Sequence, residues 1–332
     1  MALSPTCFSG KAARLFPIVM TAIHNASRLS PQLEWVTCPH PEGQHRMAFW
    51  RWGEATARCV VVCVHGLTRQ GRDFDRLAQA LVAQSPEPLQ VICPDVAGRG
   101  RSEWLSDPAH YQIPQYAGDM LAMLGQIQQQ LGADRHLQTL DWVGTSMGGL
   151  IGMVLAGQPG LPLPCPIRRL VLNDVGPAIT WSSVQRMQGY VGQYGQYRDL
   201  DEAAAALWDL SQGFGPVLPE VWREMSDHMM RPGTDGQLTL HYDPAIGVPV
   251  RAMTPETAAA GEAMLWTLYD QIQAQTLLIR GQDSDLLTAE TALQMTQRGP
   301  CARLDTWPGF GHAPTLTGDD QIAVVAKFLL GP

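Results

Sequence analysis

The sequence predicts an α/β fold: a mostly parallel sheet of eight strands, helices on both of its faces, and a helical cap inserted late in the chain. Two observations carry that expectation. Apolar, β-branched runs alternate with segments of helical spacing through the first half, the order that parallel sheets with covering helices produce. The rhythm lapses after residue 177 and resumes at "QTLLIRG" (275–281), so the stretch between is inserted into one sheet.

The elements read in order as follows. "LEWVTC" (33–38) and "HRMAFWRWG" (45–53) form an opening hairpin with Gly43 in its turn. "RCVVVCVHG" (58–66) is a continuous β-branched run, the pattern of a strand buried on both faces. In "GRDFDRLAQALVAQ" (71–84), Phe74, Leu77, Ala78, Leu81 and Val82 share one helical face. "LQVICPDVAGRGRS" (89–102) is a strand running into a glycine loop, and 116–132 is a helix closed by Gly132. A strand (137–144), a short helix (147–157) and a strand (167–177) complete the first part. Residues 178–268 are rich in Trp, Tyr, Met and Gln and are expected to be helical, as in "LDEAAAALWDLS". A helix in "TAETALQMTQR", a strand in "ARLDTW" and a helix in "DDQIAVVAKFLL" follow "QTLLIRG". The expected organisation is an N-terminal extension (1–30), a core of 31–177 and 269–332, and a helical cap (178–268).

Composition bounds the function. With 332 residues, 45% hydrophobic and 16% charged, the chain can bury the core of one large domain with an insertion. A net charge of −8 and no basic stripe argue against nucleic acid as a partner. The seven cysteines are scattered and no CxxC pair occurs, so neither zinc nor a disulfide framework is signalled, and a reducing compartment is expected. Lys11 and Arg14 ahead of "LFPIVMTAI" faintly resemble a signal peptide. The apolar stretch is short, however, contains Pro17 and lacks a small-residue cleavage site, and Met20 is an alternative start. No run is long enough to span a membrane. A cytoplasmic protein without cofactor, metal or stable membrane association is expected, acting on a small molecule; a homodimer stays open.

The chemistry centres on "LDWVGTSMGGLIGM" (140–153). Ser146 lies in G-x-S-x-G between a strand and a helix, a turn so tight that glycine is needed at 144 and 148 and the serine projects from the sheet. A serine hydroxyl needs a base. His312, in "PGFGHAPTL" after the last strand, can reach the same crevice, whereas His65 is expected to shape the glycine loop that it precedes. The orienting acid is expected between the two in the chain. "IRGQDSDLL" offers Asp283 and Asp285, and Asp285 is preferred because it lies deeper in the loop; Asp283 would cap the turn. Asp174, one strand earlier, reads rather as a polar support at the junction with the insertion. The backbone N–H groups of Leu67, in "HGL", and Met147 are the expected oxyanion donors. Arg99 and Arg101 in "DVAGRGRS" are expected to form ion pairs that fix that loop. His40 and His45 read as a solvated hairpin. Trp181, Met187, Tyr190, Trp208, Met225 and Met229 are candidates for the pocket walls.

Together these pieces resemble the α/β-hydrolase superfamily. "VVVCVHGL", "ICPDVAGRGRS", "WVGTSMGG", "LLIRGQDSDLL" and "GFGHAPTL" run in that family's order over roughly residues 45–330. The resemblance implies a serine triad under a cap, and in the "RGxxSDLL" form the Asp after Ser284 corresponds to the family's acid, in agreement with Asp285. A serine nucleophile sets the chain apart from haloalkane dehalogenases and epoxide hydrolases, which use Asp there. Meta-cleavage-product hydrolases also carry S-M-G-G elbows, yet they often have Trp after the catalytic His, where Ala313 stands here, and a more glycine-rich loop than "HGLTRQ". The resemblance therefore implies hydrolysis of carboxylic esters through an acyl-enzyme on Ser146, similar to bacterial intracellular esterases, some of them linked to hydroxyalkanoate oligomers. A C–C bond hydrolase and a non-catalytic ligand-binding protein on the same fold are the alternatives.

Overall fold

An antiparallel hairpin, β1 (Gln32–His40) and β2 (Gly43–Gly53), opens the computed structural model, which describes residues 29–193, 195–233 and 235–331. The expected N-terminal extension lies outside the described residues but for its last two. β2 pairs antiparallel with β4 (Leu89–Pro94). From there the sheet is parallel through β3 (Cys59–Val64), β5 (Thr139–Thr145), β6 (Ile167–Asn173), β10 (Gln275–Gly281) and β11 (Arg303–Trp307). The strand order is β1-β2-β4-β3-β5-β6-β10-β11, the mostly parallel eight-stranded sheet that the sequence predicts.

The continuous apolar runs are explained by two cores. Along β3, Val60, Val62 and Val64 face one core and Val61 and Cys63 the other, because successive side chains point to opposite faces. The first core is closed by α2 (Ile113–Gln130) and α3 (Met147–Gly157), through Met120, Leu124, Ile127 and Ile151. The second is closed by α1 (Asp75–Gln84) and α9 (Asp319–Leu330), through Leu77, Leu81, Val325 and Leu329. Each such side chain fully buried contributes roughly 1.5–3 kcal/mol.

Between β6 and β10 the chain forms α4 (Trp181–Tyr190), α5 (Leu200–Ser211), α6 (Pro219–His228), α7 (Gly247–Ala252) and α8 (Pro255–Tyr269). The helix starts carry their own signals: Asp199 caps α5 by accepting from Glu202 N–H at 2.9 Å, and Thr254 and Thr257 form a reciprocal capping box on α8. The insertion is not wholly helical as expected. It also holds a small antiparallel sheet of β7 (Gln196–Tyr197), β9 (Leu238–Leu240) and β8 (Met230–Pro232), strands too short to show a two-residue alternation in sequence. A second correction concerns the opening hairpin. His45 is buried rather than solvated, and its Nε2 lies 3.1 Å from Asp119 Oδ2 on α2. No helix among the described residues is long and apolar enough to cross a membrane.

Candidate active site

Ser146 sits between the last residue of β5 and the first of α3 with φ 52° and ψ −116°, a left-handed conformation that a non-glycine residue adopts only when its surroundings impose it. Those surroundings explain the flanking glycines. A Cβ on Gly144 would lie 2.3 Å from the Gly148 carbonyl oxygen, and one on Gly148 would lie 2.0 Å from the Val64 carbonyl oxygen. The Ser146 N–H donates to Asn173 O at 3.0 Å, tying the turn to the end of β6.

His312 Nε2 lies 2.9 Å from Ser146 Oγ, as its place after β11 predicts. Asn173 helps to place it: its side-chain amide donates to Pro314 O at 2.8 Å and to Thr145 Oγ1 at 3.0 Å, fastening the histidine loop to the serine turn. The acid beside the imidazole is Asp174. Its Oδ2 is 2.7 Å from His312 Nδ1, and it is fully buried. Gly281 N–H donates to Asp174 Oδ1 at 2.9 Å and the Ser284 hydroxyl to Oδ2 at 2.6 Å. A carboxylate only accepts, so Nδ1 carries the proton and Nε2 is left to accept from the serine hydroxyl.

This corrects the expectation for Asp285. Its carboxylate is half exposed and forms a two-bond ion pair with Arg186 on α4, each bond 3.0 Å long, rather than reaching His312. Asp283 is exposed, and its N–H donates to Phe310 O at 2.8 Å. The reason lies in the sheet. β6 and β10 are neighbours, with Asn173 opposite Ile279, so their ends present acids to one crevice. Ser284 turns inward onto Asp174, which sends the next side chain outward.

The loop after β3 is set by His65. Val96 N–H donates to His65 Nε2 at 3.0 Å, so Nδ1 carries the proton that reaches the Gly66 carbonyl oxygen at 2.7 Å. That oxygen also accepts from Arg69 N–H at 3.1 Å. Both bonds draw the carbonyl to one side. In a trans peptide the following N–H, that of Leu67, points the opposite way. Met147 N–H opens α3 and has no carbonyl four residues earlier to bond. Burial holds the His65 pKa down to about 3, with the charges of Arg99 and Arg69 adding to the shift, so its ring stays neutral.

A cavity of about 260 Å³ lies over these groups. His65, Gly66, Leu67, Ser146 and His312 form its floor, and Met187, Tyr190, Phe214, Met225, Met229 and Leu240 of the insertion line it from above. Of the expected wall residues, Trp181 and Trp208 do not reach it; Trp208 packs edge-on against Trp222, ring centres 5.2 Å apart. Gly311 N–H donates to Gly213 O at 2.7 Å, joining the insertion to the histidine loop. Three clusters among the described residues bring ligand-type atoms within 4.8 Å of one another: Cys38, His45 and Asp119; Glu42, Asp107 and His110; and Asp75, Glu224 and His228. None of them lines this cavity.

A family model described as the alpha/beta hydrolase family matches residues 61–327. A 3-hydroxybutyrate-oligomer hydrolase of Cupriavidus necator is 45% identical over 305 residues, covering 91% of this chain and 99% of that protein. Lipase LipV of Mycobacterium tuberculosis is 29% identical over 171 residues, 51% of this chain and 57% of that one. Among solved structures, an alpha/beta hydrolase from Novosphingobium aromaticivorans matches with a TM-score of 0.74 at 33% identity, over 90% of this chain and 98% of that one. With the serine turn, the strand order and this match over most of its length, the chain belongs to the α/β hydrolase family.

Proposed function

We propose that this protein is a serine hydrolase of short carboxylic oligoesters built from hydroxy acids, with Ser146, His312 and Asp174 as its triad. The observation that carries the reading is the continuous run from Ser146 Oγ through the His312 ring to the buried Asp174 carboxylate. The substrate class is taken from the 45% identical 3-hydroxybutyrate-oligomer hydrolase, and a 260 Å³ cavity suits an ester of that size.

Ser146 Oγ attacks the ester carbonyl carbon while its proton passes to His312 Nε2. Asp174 holds the ring with Nδ1–H toward itself and stabilises the imidazolium that forms. The carbonyl oxygen becomes an oxyanion held by the N–H groups of Leu67 and Met147. Collapse of this intermediate breaks the ester C–O bond, and the departing alkoxide takes the proton from His312. Water then loses a proton to His312, adds to the acyl-enzyme and releases the acid, returning the proton to Ser146.

The test is release of 3-hydroxybutyrate from its dimer and trimer. Wild type should release the monomer, and Ser146→Ala should lose on the order of 10⁶-fold in rate. Turnover of nitrophenyl esters with the oligomers untouched would remove the substrate class. An unimpaired Ser146→Ala would remove the mechanism.

A further inference from the structure

Behind the serine turn lies a buried guanidinium that the triad does not use. Arg99, in "DVAGRGRS" after β4, is 0% exposed and does not line the cavity. Its Nε donates to the Leu67 carbonyl oxygen at 2.9 Å, and its Nη1 to the Ala97 carbonyl oxygen at 2.6 Å and the Tyr116 hydroxyl at 2.8 Å. Its Nη2 lies 3.7 Å from Met147 Sδ. The rings of Tyr111 and Tyr116 flank it at 5.7 and 5.0 Å. The expected ion pair is not there: among the described residues no carboxylate pairs with Arg99. The nearby acids are engaged elsewhere, Asp243 with the Tyr111 hydroxyl at 2.6 Å and Asp119 with Gln115 and His45. A charge taken out of water is ordinarily paired. This one is held by neutral dipoles, and it touches Leu67 and Met147, the two residues proposed as oxyanion donors.

We propose that Arg99 is a positioning residue for the oxyanion hole, linking the loop of Leu67 to the start of α3 and placing, near the oxygen that turns negative during reaction, a positive charge that no carboxylate pairs directly. The inference rests on the ester-hydrolase reading of the site. Leu67 follows β3 and Met147 follows β5, so no covalent segment sets the distance between their N–H groups. Both must come within about 2.7–3.1 Å of one oxygen. A planar guanidinium that holds the Leu67 carbonyl and packs on the Met147 thioether restrains that distance, and lysine, a point charge on a flexible stem, restrains it less. Because the negative charge exists only in the tetrahedral state, Arg99 raises turnover and leaves ground-state binding alone.

The test uses Arg99→Met and Arg99→Lys in the full chain, with p-nitrophenyl butyrate as substrate and a butyl trifluoromethyl ketone as the probe to which Ser146 adds. In Arg99→Met, kcat should fall about 10–100-fold, somewhat less than the loss of a whole donor. Ki for the ketone should rise by the same factor while KM stays within about threefold, and Arg99→Lys should recover part of both. A structural role alone would lower the melting temperature without moving Ki. Folded Arg99→Met with unchanged Ki overturns the proposal, whatever its kcat. Should neither variant fold, Tyr116→Phe removes one of the groups that aim the fork: a rise of about threefold in Ki is expected, and an unchanged Ki overturns the proposal. A wild type that neither cleaves the ester nor binds the ketone removes the ester-hydrolase reading itself, and the proposal with it.

Discussion

Asp174 Oδ2 lies 2.7 Å from His312 Nδ1, whereas Asp285, the acid that the sequence favours, is engaged with Arg186 at the protein surface. The two positions make opposite predictions. Asp174→Asn keeps the shape but lets the histidine take the wrong tautomer, and kcat/KM should fall about 10³–10⁴-fold. Asp285→Asn breaks a half-exposed ion pair worth at most about 1 kcal/mol and should stay within about threefold of wild type. Steady-state kinetics of both variants on one nitrophenyl ester decides between them.

Ser284 holds the acid rather than the substrate. Its hydroxyl donates to Asp174 Oδ2 at 2.6 Å and accepts from Leu287 N–H at 3.1 Å. Ser284→Ala removes one hydrogen bond to a charged group, worth about 1.5–3 kcal/mol, so kcat should drop about 10- to 100-fold with KM little changed. A change confined to KM would mean that Ser284 contacts the substrate.

The buried His65 ties stability to pH. Its folded pKa, about 3, lies below that of the unfolded chain, about 6.5, so between those values the unfolded state binds the extra proton. The contribution of neutral His65 is complete above pH 6.5 and is lost as pH falls toward 3. His65→Gln should be less stable than wild type at pH 7.5, and the gap should narrow by about 1.4 kcal/mol per pH unit below 6.5. Urea unfolding at pH 7.5, 5.5 and 4.5 measures it, and a gap independent of pH would contradict the assignment.

Chain length follows from the cavity. A space of about 260 Å³ under Met187, Met225 and Met229 accepts short acyl groups. Rates on p-nitrophenyl esters should be highest for about four to six acyl carbons and at least about tenfold lower for palmitate. Met225→Ala, which removes a wall, should move the optimum toward longer chains.

Much of this was legible because the signals were local. The buried strands announced themselves as β-branched runs, and Gly144 and Gly148 marked a turn in which any side chain would strike backbone. The position of His312 followed from chain order. The acid was harder because Asp174 and Asp285 both follow strands that end at the same crevice, and the choice depends on where Ser284 points, a matter of packing between two loops. In the sequence, Arg99 in a polar glycine loop reads as an ion-pair former that fixes that loop. Only the fold shows that its neighbours are carbonyls, tyrosines and a thioether. The three short strands of the insertion were too brief to leave a pattern.

A covalent acyl-enzyme on Ser146 is seen most directly by mass spectrometry of the protein quenched during turnover of a 3-hydroxybutyrate trimer. An acyl adduct is expected on the peptide that contains Ser146, and none in Ser146→Ala. Rapid turnover with no adduct, or an adduct on a different residue, would contradict it.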